Sequence, residues 1–179
     1  MKLIDGKCNS CPAFHQRSPE QIERIEYWYA LFLGELRQIK PVKVILLGES
    51  YPATRYFYDL DSNYENRGLM YNLKQEFGIS TNKKMIIKFR ELGVVVYDCA
   101  FCPLHLLENK TDQRHAATHC LKSYKLEFFK ENTAPIITFF QSKRGFLKSD
   151  LPEIEKDRIA GAFNFNSLHG IKNLILSIA

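Results

Sequence analysis

The chain predicts an α/β fold, a three-layer α/β/α sandwich built on a central parallel sheet of about four strands. Two observations carry that expectation. Aliphatic and β-branched runs within residues 42–47, 94–97 and 135–140 have the pattern of strands buried on both faces. Segments of helical periodicity alternate with them, which calls for parallel crossovers.

Taken in order, Ser18-Pro19-Glu20-Gln21 opens the first helix, with Ser18 as N-cap, Pro19 in the first helical position and Gln21 completing a capping box. Ile22, Ile25, Tyr29, Phe32, Leu36 and Ile39 then recur at three- and four-residue steps and form its apolar face. Residues 42–52, VKVILLGESYP, read as a central strand that delivers a loop at its carboxyl end, where ligands bind in open α/β sheets. Gly48 permits close backbone approach, Glu49 and Ser50 bring a carboxylate and a hydroxyl, and Pro52 stiffens the exit. An ordinary strand followed by a polar turn fits the same residues. Residues 56–66, aromatic and polar with weak periodicity, have the look of a binding loop. Helices are expected over 68–76 and over 80–91, the second closed by Gly93. A strand over 94–97, a helix over 112–130, a strand over 135–140 and a weaker strand over 158–164 follow, and Ser167 can cap a final helix running to Ile178.

The 179 residues are enough for one domain, 1–179, with a sizeable core, and no low-complexity linker divides them. With 45% hydrophobic and 13% aromatic residues the chain belongs among folded proteins. No apolar run approaches the roughly 18 residues of a membrane span, and residues 1–7 lack the apolar core of a signal peptide. A cytoplasmic monomer without membrane contact is expected. The net charge of +5 permits nucleic-acid binding without requiring it. Five cysteines in a reducing compartment do not suggest a disulfide framework. Their spacing, Cys8-x-x-Cys11, Cys99-x-x-Cys102 and a later Cys120, suits a metal site, with His15, His105, His115 or His119 able to replace a thiolate if the metal is zinc. Small buried cysteines are the non-metal alternative.

Three features converge on strand carboxyl ends: Gly48-Glu49-Ser50, Asp98-Cys99 and Asn164-Phe165-Asn166-Ser167. With the cysteine spacing, they resemble the uracil-DNA glycosylase superfamily, and in particular its iron–sulfur members. The resemblance implies that Glu49 activates the attacking water, that Phe57 or Tyr58 stacks on an extruded base, and that Asp98 reads the base edge where the family uses Asn. It also implies that Ser167 belongs to the C-terminal base-binding motif. There Phe165 stands where the family has its catalytic histidine, and His169 is the candidate substitute for stabilising the departing base. Glu49 as a structural carboxylate and Phe57 as a core residue are the alternatives. Leu168 is either a wedge entering the duplex or part of the last helix's core face. Cys8, Cys11, Cys102 and Cys120 match the family's ligands for a 4Fe-4S iron–sulfur cluster, with zinc or a set including Cys99 as alternatives. Lys143 and Arg144, with Arg114, Lys122 and Lys125, are candidate phosphate contacts or a solvated charged face. The implied activity is hydrolysis of the N-glycosidic bond of a deaminated or damaged base in DNA. A non-catalytic nucleic-acid binder and a nucleotide or small-molecule hydrolase are the alternatives. Asp98 makes uracil itself a poor expectation, because an ionised carboxylate only accepts hydrogen bonds.

Overall fold

In this computed structural model, the structure describes residues 11, 13, 17–50, 56–61, 68–102, 104, 107–139, 158–164 and 167–179, the side chains of 49, 50 and 124–126 excepted. The fold is mixed α/β, with a four-stranded, all-parallel sheet between helical layers. Its strands are β1 (Val44–Ser50), β2 (Val94–Ala100), β3 (Ile136–Thr138) and β4 (Ile159–Ala162), in the spatial order β2-β1-β3-β4. Val44, Ile45, Leu46 and Leu47 of β1 are fully buried, as a strand covered on both faces must be.

Helix α1 (Pro19–Leu36) begins as its sequence dictates. The Ser18 side chain accepts from Gln21 N–H, the Gln21 side chain accepts from Ser18 N–H, and Pro19 occupies the first turn. Its buried residues are Ile25, Trp28 and Phe32. Helices α2 (Leu69–Phe77) and α3 (Asn82–Leu92) end at Gly78 and Gly93, both left-handed, with φ of 67° and 69°. The single helix expected over 112–130 is α4 (Lys110–Cys120), a π-helical turn over Leu121–Lys125 and α5 (Leu126–Glu131). The π turn begins immediately after Cys120, and such turns inside α-helices are frequently found at functional sites.

The last helix, α6 (Ile171–Ile178), corrects an expectation. Its N-cap is Gly170, at φ 84°, and not Ser167. Ser167 instead forms an antiparallel bridge with Asn164, its N–H donating to the Asn164 carbonyl at 2.9 Å. Leu174 of α6 packs against β4 at Gly161, where an added Cβ would lie 2.8 Å from its Cδ2. The same helix touches α2, Gly170 N–H donating to Glu76 Oε2 at 3.3 Å. On the other side, Tyr97 of β2 meets Phe32 of α1 and Phe128 of α5 at ring separations of 5.0 and 4.4 Å.

Strand β2 ends the sheet, and an uncovered parallel edge would expose backbone donors. The Tyr58 hydroxyl takes one of them, accepting from Val96 N–H at 2.7 Å. Burial pushes the Tyr58 phenol far above its usual pKa, with the negative charges of Glu35 and Asp98 adding to the shift. Glu35 of α1 holds Arg90 of α3 in a two-pronged ion pair at 2.7 and 2.6 Å, tying the two helices together.

Arg158, just before β4, donates to the carbonyls of Phe129, Asn132 and Ala134. Those carbonyls lie at and beyond the end of α5, where helix acceptors lack internal partners. Arg158→Ala is expected to destabilise the fold by about 1.5–3 kcal/mol, the range for hydrogen bonds to a charged donor. Urea unfolding checks this, and an unchanged midpoint would mean that the staple contributes nothing.

Candidate functional site

All four strands run the same way, so their carboxyl ends share one edge of the sheet. Chain order and spatial order together place the reversal of strand order between β1 and β3, the position at which open α/β sheets form a crevice for ligands. β1 brings Gly48-Glu49-Ser50 to this edge, and β3 ends in Thr138, a polar residue only 4% exposed. β4 leads to Asn164 and Ser167, both exposed, about two strand spacings or roughly 10 Å from β1.

Gly48 and Asp98 approach each other closely at this edge. They are register partners on β1 and β2, and a Cβ added at Gly48 would lie 2.0 Å from Asp98 Oδ1 and 3.2 Å from its Cγ. The Asp98 carboxyl therefore occupies the volume that a side chain on β1 would fill. Glycine here leaves room for the carboxyl and is not needed for an unusual φ. The register continues from Leu46 to Ile137 and from Ile137 to Gly161, so Asp98 projects from the face of the sheet on which α6 packs.

The aromatic segment corrects a second expectation. Of the binding loop expected over residues 56–66, Tyr56, Phe57 and Tyr58 are buried core residues, and residues 62–66 lie outside the described ones. Phe57 stacks on Phe89 at 5.7 Å and 19° and meets Tyr58 edge-on at 5.0 Å, so its ring packs inside the protein rather than standing ready for a base. Trp28 anchors the segment, stacking on Tyr56 at 5.4 Å and donating from Nε1 to Asp59 Oδ2 at 3.2 Å. Three consecutive aromatics carry too much apolar area to be left in water. A third correction concerns Leu168, which is 3% exposed and part of the core, not a wedge for a duplex. His169 beside it is exposed, in the turn that precedes α6.

The cysteines are buried: Cys11, Cys99, Cys102 and Cys120 are each 4% exposed or less. Hydrogen bonds reach the sulfurs of Cys102 and Cys120. Phe101 N–H donates to Cys120 Sγ at 3.3 Å, and the Arg17 guanidinium donates to Cys102 Sγ. Tyr29 stands close by, its ring 4.8 Å from that of Phe101, and burial raises its phenol pKa with Cys120 contributing. N–H donors aimed at sulfur suit thiolates, whether they bind an iron–sulfur cluster or zinc. Among the described residues no group of three or more His, Cys, Asp or Glu side chains forms a metal-binding cluster. Cys8, His15 and His105 lie outside the described residues, as do Lys143 and Arg144. Arg114, His115 and Lys122 are exposed, and His119 is partly so. The Arg17 contact had no signal in the sequence, since it joins residues 85 positions apart.

A cleft of about 740 Å³ opens between α1 and α5, lined by Leu36, Val42, Phe128 and Thr133 among others. It lies toward the amino ends of β1 and β3, away from Gly48 and Asp98. Among the described residues no helix is long and apolar enough to cross a membrane. No known protein family, curated protein or solved structure matches the chain.

Proposed function

We propose that this chain is a DNA glycosylase-like protein that takes a damaged or deaminated base out of DNA at the carboxyl edge of its sheet and hydrolyses the N-glycosidic bond. The observation that supports this reading is the Asp98 carboxyl seated over Gly48 beside the β1/β3 crevice. A carboxylate accepts hydrogen bonds, and Asp98 is the proposed reader of the base edge. Glu49, next in β1, is the proposed activator of the attacking water. Thr138 and Ser167 stand at the same edge, Ser50 is proposed to line the base pocket beside Glu49, and His169 is the proposed donor toward the departing base. Lys143 and Arg144 are the proposed phosphate contacts, whose binding would weaken steeply with salt. Cys8, Cys11, Cys102 and Cys120 would hold an iron–sulfur cluster or zinc, which would tie the N-terminal segment to the middle of the fold.

Gly48→Ala tests the geometry of the site. The atom in the way is the end of a side chain, so the carboxyl of Asp98 should swing aside while the strands stay paired. Thermal stability should change by less than about 1 kcal/mol, while affinity for DNA carrying the target base falls about tenfold. Loss of the fold, or unaltered affinity, would contradict this account of Asp98.

The function itself is tested by base release from single- and double-stranded oligonucleotides carrying uracil, hypoxanthine, xanthine or an alkylated purine, using anaerobically purified protein of known metal content. Release of any of these bases supports the reading. Tight binding without release, from protein with a full metal site, would instead make this a non-catalytic binder. Preference for free nucleotides over DNA would indicate a small-molecule hydrolase.

A further inference from the structure

His169, the proposed donor toward the departing base, stands in a turn that is anchored on both sides. Leu168 before it is 3% exposed, and Ile171 after it is fully buried. Ile171 N–H donates to the Leu168 carbonyl at 2.9 Å, and Gly170 lies at φ 84° and ψ −6°, so residues 168–171 form a type II turn with His169 second and Gly170 third. The peptide between His169 and Gly170 is the central one, whose rotation separates a type II turn from a type I turn. Its N–H donates to Glu76 Oε2 of α2 at 3.3 Å. Gly170 is the N-cap of α6 and brings no side chain to the helix start. A carboxylate from α2 stands there instead, where the helix dipole favours negative charge.

We infer that Glu76 is a positioning residue for His169, an inference that rests on the glycosylase reading. In this role the carboxylate holds the peptide that follows His169 and so limits the arc through which the imidazole can swing. A donor to a leaving group works only within a narrow range of distance and angle, and a displacement of about 1 Å can cost about 10²-fold in rate. An uncharged side-chain oxygen of the same reach would accept the same N–H, so the role depends on the acceptor and not on its charge. Glu76 differs in this from Glu49, whose proposed role needs a group that takes a proton. Nothing near Glu76 in the sequence announces the contact, which joins residues 94 positions apart.

The test measures single-turnover base release and DNA affinity for the native protein, Glu76→Ala, Glu76→Gln, His169→Ala and the double variant Glu76→Ala/His169→Ala, with circular dichroism to verify folding. The probe is whichever oligonucleotide, carrying uracil, hypoxanthine or xanthine, loses its base fastest to the native protein. Glu76→Ala is expected to slow release at least about tenfold with DNA affinity within about a factor of two. Glu76→Gln keeps an oxygen acceptor and should stay within about threefold of the native rate. In the His169→Ala background Glu76→Ala should have no further effect, since a residue that acts only through His169 has nothing left to position. A further fall of about tenfold in the double variant would overturn the inference and leave the glycosylase reading standing. Native release by Glu76→Ala, an unfolded Glu76→Ala, or a fall in Glu76→Gln as large as in Glu76→Ala would also overturn it. Unaltered release by His169→Ala would overturn it by removing His169 from the mechanism. Release of no base by the native protein would overturn the glycosylase reading as well.

Discussion

Glu49→Gln is expected to slow base release by about 10²–10⁴-fold while leaving DNA affinity within about a factor of two. The amide has nearly the shape of the carboxylate but cannot take a proton from water, so a step that needs a base fails while contacts that need only size persist. Single-turnover release measured beside a DNA titration separates the two quantities. A parallel loss of affinity would make Glu49 a structural carboxylate of the loop, and unaltered turnover would remove it from the mechanism.

The largest stability effect is expected from Gly93→Ala. Gly93 ends α3 at φ 69°, and an added Cβ would lie 2.7 Å from the Pro41 carbonyl oxygen and 2.9 Å from Lys43 Cγ. The backbone cannot move away cheaply, because the Gly93 carbonyl accepts from Lys43 N–H at 2.8 Å and from Val44 N–H at 3.2 Å at the start of β1. Strain at the left-handed position alone should cost about 1–3 kcal/mol, with the clash in addition. For a chain of this size each kcal/mol corresponds to a fall in Tm of about 2–4 °C. Gly34→Ala is the matched control, since Gly34 lies within α1 and, among the described residues outside its own helix backbone, nothing stands within 4 Å of its added methyl. That change should stabilise by about 0.5–1 kcal/mol. Equal behaviour of the two variants in thermal unfolding would contradict this assignment of strain.

Local rules made much of the fold legible. The Ser18 capping box, the Gly93 stop and the apolar runs of β1, β2 and β3 each depend on neighbours within a few residues, and each appears where the sequence places it. The failures lie where a residue with one local preference has a different long-range partner. Ser167 suits an N-cap but bridges Asn164, and the helix begins after Gly170, three residues later. Phe57 and Leu168 suit a binding surface by their position near loops, yet the core takes both. The candidate site was half readable. Gly48 and Asp98 could each be assigned to a strand end, but their mutual contact depends on the pairing of β1 with β2, which no local pattern encodes. The bond from Arg17 to Cys102 was not readable at all, because an isolated arginine ahead of a helix cap carries no sign of its distant partner.

The proposed site is tested most directly by a crystal structure of the protein bound to an oligonucleotide carrying an abasic-site analogue. The gap in the strand is expected at the carboxyl ends of β1 and β3, with Asp98 and Gly48 facing the space of the missing base. DNA bound at the opposite end of the sheet, over the cleft between α1 and α5, would contradict it.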